Sequence, residues 1–384
     1  MKRILGLLFL SFCAAAMADD PVLNLSARQR YPWNGKVDVS FTITGETEEN
    51  YLSITATNAA TGATIPVRTI FDAGGAAVTP WTAFAPGEIS LVWDAGADAP
   101  GLVADEVALS VVSVPPPPPP LYMVVDLSAG ADAASYPVSY LPDVPAGGWT
   151  DEYKTTKLVL RRIEAGTFIM GNAPTDESHR VTLTKPFYCG VFEVTQKQWS
   201  LVMGSNPSYY EGDKRPVEGV SYNAIRGSSS GAQWPESNAV DSSSFLGKLR
   251  ARTGLDFDLP TEVQWEYACR AGTATTYSYG DSADENYMWY VDNSSSTHEI
   301  GTKLPNAWGL YDMHGNVWEW CLDWNGTLAY STNPKGSSSG SYRVFRGGSW
   351  YDYADYCTSS FRNYDGPSYS FSYYGFRLVR TLSN

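Results

Sequence analysis

The chain has 384 residues, which sets an expectation of two domains, or of one large domain with an appendage. Hydrophobic residues make up 43% of it and charged residues only 18%, with 13 Trp and 25 Tyr, so it can bury a sizeable core and wholesale disorder is excluded. The 27 Lys and Arg face 41 Asp and Glu, a net charge of −14, which argues against nucleic acid and anionic membrane surfaces as partners.

Met1, Lys2 and Arg3 lead into the apolar run Ile4 to Cys13, and Ala16-Met17-Ala18 offers a small-x-small cleavage pattern before Asp19. Residues 1–18 therefore read as a cleaved secretory signal and the protein as exported. No later stretch approaches the roughly 20 apolar residues of a membrane helix, so insertion into a bilayer is not expected. Export leaves Cys189, Cys269, Cys321 and Cys357 where disulfides are permitted. Their wide spacing fits neither a small disulfide scaffold nor a CxxC zinc site, and it leaves their pairing open.

From about Tyr31 to Val114 apolar residues alternate in strand fashion: Val37, Val39, Phe41 and Ile43; Leu52 and Ile54; Ile89, Leu91 and Trp93; Val107, Leu109 and Val111. Short strands between Gly, Asn, Asp and Pro clusters predict an antiparallel β-sandwich over 31–114. Pro115 to Pro120 are six consecutive prolines, an extended linker rising about 3.1 Å per residue. Residues 121–157 read as an extended connection able to add strands to the second domain. Beyond Leu158 the best helices are Thr195–Met203, Ser242–Thr253 and Thr261–Ala271, the last with Thr261 as N-cap after Pro260. The Ser-rich stretch 227–244 reads as a mobile surface loop, and the remainder as short strands and turns.

Seven motifs stand in order in this second region: GTFIMG (166–171), FEVTQKQW (192–199), RPVEGVSY (215–222), LPTEVQWEYACRAG (259–272), PNAWGLYDMHGNVWEW (305–320), RVFRGGSW (343–350) and YGFRLVR (374–380). Residues 158–381 thereby resemble the formylglycine-generating enzymes, or sulfatase-modifying factors. The resemblance implies an α+β, C-type-lectin-like domain with little regular secondary structure, preceded here by a small all-β sandwich. It also implies a chemistry: enzymes of this family oxidise a sulfatase cysteine to formylglycine with oxygen and copper(I) held by two cysteines five positions apart, after the GGS motif. Here the corresponding positions are Asp352 and Cys357. A hard carboxylate does not replace a soft thiolate for copper(I), so no copper is expected, and Cys357 would be catalytic only if the oxidase reading held. The family's iron-dependent branch needs a histidine cluster, whereas His179, His298 and His314 fall in separate motifs. The resemblance further implies a structural calcium ion at Asp312, the carbonyls of Gly315 and Val317, and Glu319, hard oxygen donors of the kind calcium takes. The alternative is that Asn316 and Glu319 serve only to hydrogen-bond a buried turn.

The segment Tyr351 to Tyr374, YDYADYCTSSFRNYDGPSYSFSYY, contains nine Tyr or Phe and five Ser in 24 residues, and no aliphatic residue larger than Ala. Such a run makes a poor core strand and a good binding surface, because Tyr supplies rigid amphipathic contact and Ser, Gly and Asn supply adaptable hydrogen bonds. The segment also resembles the variable region of proteins diversified by retroelements, which often end in this lectin-like fold. In those, a fixed frame surrounds positions that begin as asparagine codons and are mutated only at adenines. The frame is present here as Gly347, Gly348, Ser349, Trp350, Ala354, Cys357, Arg362, Pro367, Gly375, Phe376 and Arg377. Between its members lie Tyr351, Asp352, Tyr353, Asp355, Tyr356, Phe361, Asn363, Tyr364, Asp365, Gly366, Tyr369, Phe371, Ser372 and Tyr373, all reachable from an asparagine codon in that way. An ordinary Tyr-rich loop is the competing reading.

Together these features predict an exported, monomeric, non-catalytic binder of a protein or glycan, contacting it through 351–374. The alternative is a sulfatase-modifying oxidase.

Overall fold

The computed structural model describes residues 22–30, 34–44, 51–78, 82, 84–100, 107–114, 119–172, 179–327 and 332–382. The expected signal peptide and prolines 115–118 lie outside the described residues. The chain divides into two compact units, Met1–Pro119 and Pro120–Asn384.

The first unit contains β1 (Val22–Gln29), β2 (Lys36–Ile43), β3 (Tyr51–Asn58), β4 (Thr64–Ile65), β5 (Ile70–Asp72), β6 (Ala77–Val78), β7 (Gly87–Asp94), the single-turn α1 (Ala95–Asp98) and β8 (Val107–Val114). These form two antiparallel sheets, ordered β1-β2-β7-β5-β6 and β4-β3-β8. The period-2 alternation of the sequence sets their common core: Val37, Val39, Phe41, Leu91 and Trp93 of one sheet pack with Ala56, Leu109 and Val111 of the other. Strand β1 begins well before residue 31, where the sandwich was expected to start. As an edge strand reading VLNLSARQ, it lacks the apolar alternation that marks the others.

The second unit is built on β9 (Tyr122–Asp126), β10 (Val138–Leu141), β11 (Lys157–Ile163), β14 (Phe187–Gly190) and β19 (Val379–Thr381), which form one antiparallel sheet ordered β10-β9-β11-β14-β19. The stretch 121–157 thus supplies two strands and the short α2 (Glu152–Thr155), and Tyr122 to Val125 of β9 are buried. A hairpin of β12 (Gly166–Met170) and β13 (His179–Leu183) stands beside a second sheet ordered β17-β16-β15-β18. Its strands are β15 (Trp318–Trp324), β16 (Arg343–Arg346), β17 (Arg362–Asp365) and β18 (Tyr374–Gly375).

Helices α3 (Gln196–Met203) and α6 (Glu262–Arg270) begin with complete capping boxes, Thr195 with Gln198 and Thr261 with Gln264. Between them lie α4 (Tyr222–Arg226) and α5 (Phe245–Thr253), the latter capped by Ser244. Trp199 of α3 stacks on Phe245 of α5 with centroids 5.1 Å apart, and Phe376 meets both rings edge-on. The stretch 227–244 is not the free loop its composition predicts. Asp241 accepts the backbone N–H groups of Ser229 and Gly231, and Trp234 is buried with its carbonyl taking a bond from Arg343. Serine content says nothing about such a local tether.

Every residue of α6 is buried, including Glu262, Glu266 and Arg270. A helix carrying charges can lie inside only if each is paired. Glu266 meets Arg270 at 2.8 Å and also Arg346, while Glu262 meets Arg346 at 3.2 Å and Arg362 at 2.7 Å. Arg346→Ala would leave two buried carboxylates short of a partner and is expected to cost about 3–5 kcal/mol in denaturant unfolding. A loss indistinguishable from that of a surface substitution would contradict the pairing.

Asp323, buried at the end of β15 beside Glu262, has its pKa pushed up to about 7 by burial, with the neighbouring carboxylate adding to the effect. An unfolded Asp titrates near about 3.9, so the native state holds a proton that the unfolded chain releases. This contribution to stability therefore grows as pH falls from about 8 through 7 toward 4. Urea unfolding of the wild type and Asp323→Asn over that range checks it: the substitution is expected to flatten the slope, and an unchanged slope would assign it to other groups.

Candidate functional site: an aromatic surface on a buried frame

The GGSW turn opens the segment of interest. Gly347 and Gly348 adopt φ of +99° and +73°, a region that disfavours residues with a Cβ. A Cβ on Gly348 would also stand 2.4 Å from Cys357 Sγ and 2.9 Å from Cys357 Cα. Cys357 thus packs directly beneath the turn. It is fully buried, its Sγ faces the Tyr353 carbonyl at 3.7 Å, and its carbonyl accepts a 2.7 Å bond from His314 Nδ1. Burial drives the thiol pKa far above its ordinary value, so it is protonated and a poor nucleophile or soft-metal ligand. Asp352 is half-buried and accepts the Ser349 hydroxyl, and burial raises its carboxyl. Cys189, Cys269 and Cys321 are likewise free, buried thiols. Burial lowers the His314 pKa to about 4, and Nε2 is engaged with Ser278 at 2.9 Å.

The remaining frame residues close the segment from below. Trp350 is buried and its indole N–H donates to the Ser372 carbonyl at 3.0 Å. Trp318 is buried against Phe345, centroids 5.0 Å apart, and Phe361 packs on it from outside at 6.1 Å. Arg362 is held by Glu262 through two bonds of 2.8 and 2.7 Å, and Arg377 by Glu319 through two of 2.6 Å.

Between these fixed points the side chains face outward. Tyr351 and Tyr353 are 62% and 65% exposed, and Asp355, Tyr356, Tyr364, Tyr369 and Phe371 are also exposed. Phe361, Asn363, Asp365, Ser372 and Tyr373 are half-buried. Asp365 is tied down, accepting the Tyr374 hydroxyl at 3.0 Å. Tyr369, Phe371, Tyr373 and Tyr351 form a row of near-parallel rings with successive centroid distances of 6.4, 5.3 and 5.7 Å. A cavity of about 450 Å³ lies elsewhere, lined by Trp234, Arg250, Asp256, Lys185 and Lys335 among others, with none of its walls drawn from 351–374.

Residues 150–382 match the sulfatase-modifying factor enzyme 1-like domain. The chain belongs to the sulfatase-modifying factor family. Among its relatives, chaperone protein LppX of Paenibacillus barcinonensis is 30% identical over 225 residues, covering 49% of this chain and 77% of that one. The formylglycine-generating enzyme of Streptomyces coelicolor is 35% identical over 143 residues, 32% of this chain and 46% of the enzyme. The chain thus spans less than half the length of that enzyme. Among solved structures, Treponema denticola variable protein 1 superposes with a TM-score of 0.51 at 30% identity, covering 59% of this chain and 96% of that one. The fold is the C-type-lectin-like fold of this family, and the C-terminal segment resembles a retroelement-diversified variable region.

At the family's calcium positions the side chains are otherwise engaged. Arg377 takes both oxygens of Glu319, and the Trp265 indole N–H donates to one of them at 2.6 Å. Asp312 accepts the Gly301 N–H at 2.7 Å. The turn carrying Gly315 and Val317 is held by Glu193, which accepts the Asn316 amide at 2.7 Å and the Val317 N–H at 3.2 Å. Of the donor set that the resemblance implies for calcium, the Asp312 and Glu319 carboxylates thus already have protein partners. Among the described residues no three His, Cys, Asp or Glu side chains are grouped to hold a metal. A bound calcium ion would stabilise the native state over the unfolded chain, so a melting temperature higher in excess calcium than in chelator is the outcome that supports the implied site, and an unchanged one counts against it.

The division between frame and surface predicts two stability classes in denaturant unfolding. Tyr353→Ala should change stability by no more than about 0.5 kcal/mol, and Tyr356→Ala and Tyr364→Ala, which each lose one ring contact, by no more than about 1.5 kcal/mol. Trp318→Ala and Trp350→Ala should cost about 3–5 kcal/mol. Tyr373, read from sequence as a fully exposed position, packs against the core, and its loss should fall between the two. Large losses at all three exposed tyrosines would make them core residues and remove the surface.

Proposed function

We propose that this chain is an exported, non-catalytic ligand-binding member of the sulfatase-modifying factor family that engages its ligand through the side chains exposed between 351 and 373. The observation that carries the reading is the separation of roles along one segment. Trp350, Cys357, Phe376 and Arg377 are buried, while Tyr351, Tyr353, Tyr356, Tyr364 and Tyr369 between them are exposed. Tyr, Asp and Ser at such positions give contact area and hydrogen bonds without contributing to the core. The likeness to a protein described as a variable protein, and to one described as a chaperone, supports binding over turnover.

The enzymatic alternative draws on the formylglycine-generating relatives. Against it stand Asp352 at the position of the first thiolate and a Cys357 thiol held protonated beneath the turn. Purified protein is therefore expected neither to bind copper(I) stoichiometrically nor to convert a sulfatase-derived cysteine peptide in the presence of oxygen. Conversion abolished by Cys357→Ser would overturn the non-catalytic reading. Diversification is tested in the adjacent DNA, where a near-copy of codons 351–374 carrying asparagine codons beside a reverse transcriptase is expected.

A further inference from the structure

The most exposed large hydrophobic side chain among the described residues lies outside the segment 351–374. Tyr209 is 77% exposed, in the loop that follows α3, and the backbone beneath it is held by buried side chains. Gln196, at the start of α3, donates to the Tyr210 carbonyl at 2.8 Å and accepts from the Gly212 N–H at 2.9 Å and the Asn206 amide at 3.0 Å. Glu218 accepts the Tyr210 N–H at 2.7 Å. Both are almost wholly buried. A loop tip without a job does not need two buried polar side chains to fix its backbone, since each would be costly to bury unpaired.

The fixed loop is continuous with the aromatic surface. Tyr209 meets Tyr210 edge-on at 4.9 Å, Tyr210 meets Trp350 at 5.3 Å, and Trp350 meets Tyr351 at 5.4 Å, where the ring row begins. The backbone is pinned across the same seam, with the Gly219 N–H on the Phe371 carbonyl and the Asn223 N–H on the Pro367 carbonyl, both at 3.0 Å.

Two observations bear on the occupant. Phe371 and Tyr373 are parallel within 1° at 5.3 Å. Coplanar rings at that distance would bring their edge atoms well inside the roughly 3.5–4.0 Å contact distance of carbon, so these rings are offset and partly cover one another's faces. A row whose faces are occupied offers edges and hydroxyls rather than open platforms for sugar rings. Charge is the second observation. The loop 205–213 and the segment 351–374 together carry Glu211, Asp213, Asp352, Asp355 and Asp365 against the single cation Arg362, which is already paired with Glu262. Asp213 meets Lys197 at 3.7 Å, and Asp352 and Asp365 are half-buried and hydrogen-bonded, so Glu211 and Asp355 are the acids left to face a partner.

We propose that Tyr209, backed by Tyr210, is an invariant aromatic anchor that extends the ligand surface beyond 351–373, and that the joint surface takes a protein segment bearing lysine and arginine. This rests on the binding reading above. Tyr209 would supply a contact common to every sequence that 351–373 adopts, while the acidic rim selects cationic partners.

The test selects a random phage-displayed peptide library on the full chain and screens the chain in parallel on a glycan array. The expected result is enrichment of Lys- and Arg-containing peptides, whose binding weakens with salt. Synthetic copies of the enriched peptides are then titrated against Tyr209→Ser, Tyr353→Ser and Asp355→Asn, all surface variants expected to melt as the wild type does. A loss of about tenfold or more with Tyr209→Ser supports the anchor. Retained affinity in Tyr209→Ser alongside a loss in Tyr353→Ser overturns the anchor and leaves the binding reading intact. Affinity unchanged in both removes the binding reading as well. Enrichment of acidic peptides, no enrichment, or binding confined to the glycan array overturns the choice of partner.

Discussion

The exposed aromatic segment 351–374 depends on a set of buried Arg–Glu pairs. Arg346 leads into the GGSW turn, Arg362 stands midway through the segment, and Arg377 follows it. Arg346 and Arg362 converge on Glu262 of α6, and Arg377 on Glu319 of β15. Desolvating these groups is expensive, and well-packed apolar residues could supply equal or greater stability. What the pairs add is geometry, because a guanidinium gripping a carboxylate through two bonds fixes orientation as well as distance. The chain is thereby held at the entry, middle and exit of 351–374 by interactions that owe nothing to the side chains in between. Those side chains can face water without carrying the fold.

The same logic explains the fate of the family's thiol. In a copper(I) site a cysteine must reach an ion as a thiolate, which requires a partner thiolate and an environment that favours the anion. Here burial of Cys357 itself disfavours the thiolate, and the carboxylate of Asp352 at the partner position adds to the effect. Cys357 has the volume and polarity of a small hydrophobe and fills the space that Gly348 leaves by lacking a Cβ. A residue that does chemistry in the enzymes is, in this geometry, the floor of a turn.

Local signals made much of the fold legible and long-range pairings did not. Thr195 and Thr261 act through backbone groups three residues away, so those helix starts could be read directly, whereas the helix expected from Ser242 begins only after its cap Ser244. Alternation in Val37 to Ile43 set which face of that strand is core. The inner place of β9, the hold of Arg343 on Trp234 in 227–244, and the Arg377 partner of Glu319 all depend on residues distant in sequence. The motif around Asp312 and Glu319 shows the difference most clearly: the guanidinium that pairs with Glu319 lies 58 residues on, and nothing within the motif announces it. The exposed tyrosines were legible from composition, whereas Tyr209 was not, since one aromatic pair after a helix carries no pattern.

Exposure is not uniform within the segment, and this grades what each position can become. Phe361 lies over Trp318 and against Tyr356, 4.8 Å between centroids, and Tyr373 sits between Phe371 and Tyr351 in the ring row while touching the core. Aromatic contacts of this kind are each worth about 0.5–1.5 kcal/mol beyond the area they bury. A polar replacement at 361 or 373 would therefore remove support from the neighbouring rings as well as its own contact. Tyr353 and Asp355 have no such duty, and Tyr364 leans on the exposed Tyr342, so substitution there has little effect on the platform. A surface built this way varies most where it is least supported. On the binding reading proposed above, those outlying positions are where substitution changes recognition at least cost to the fold.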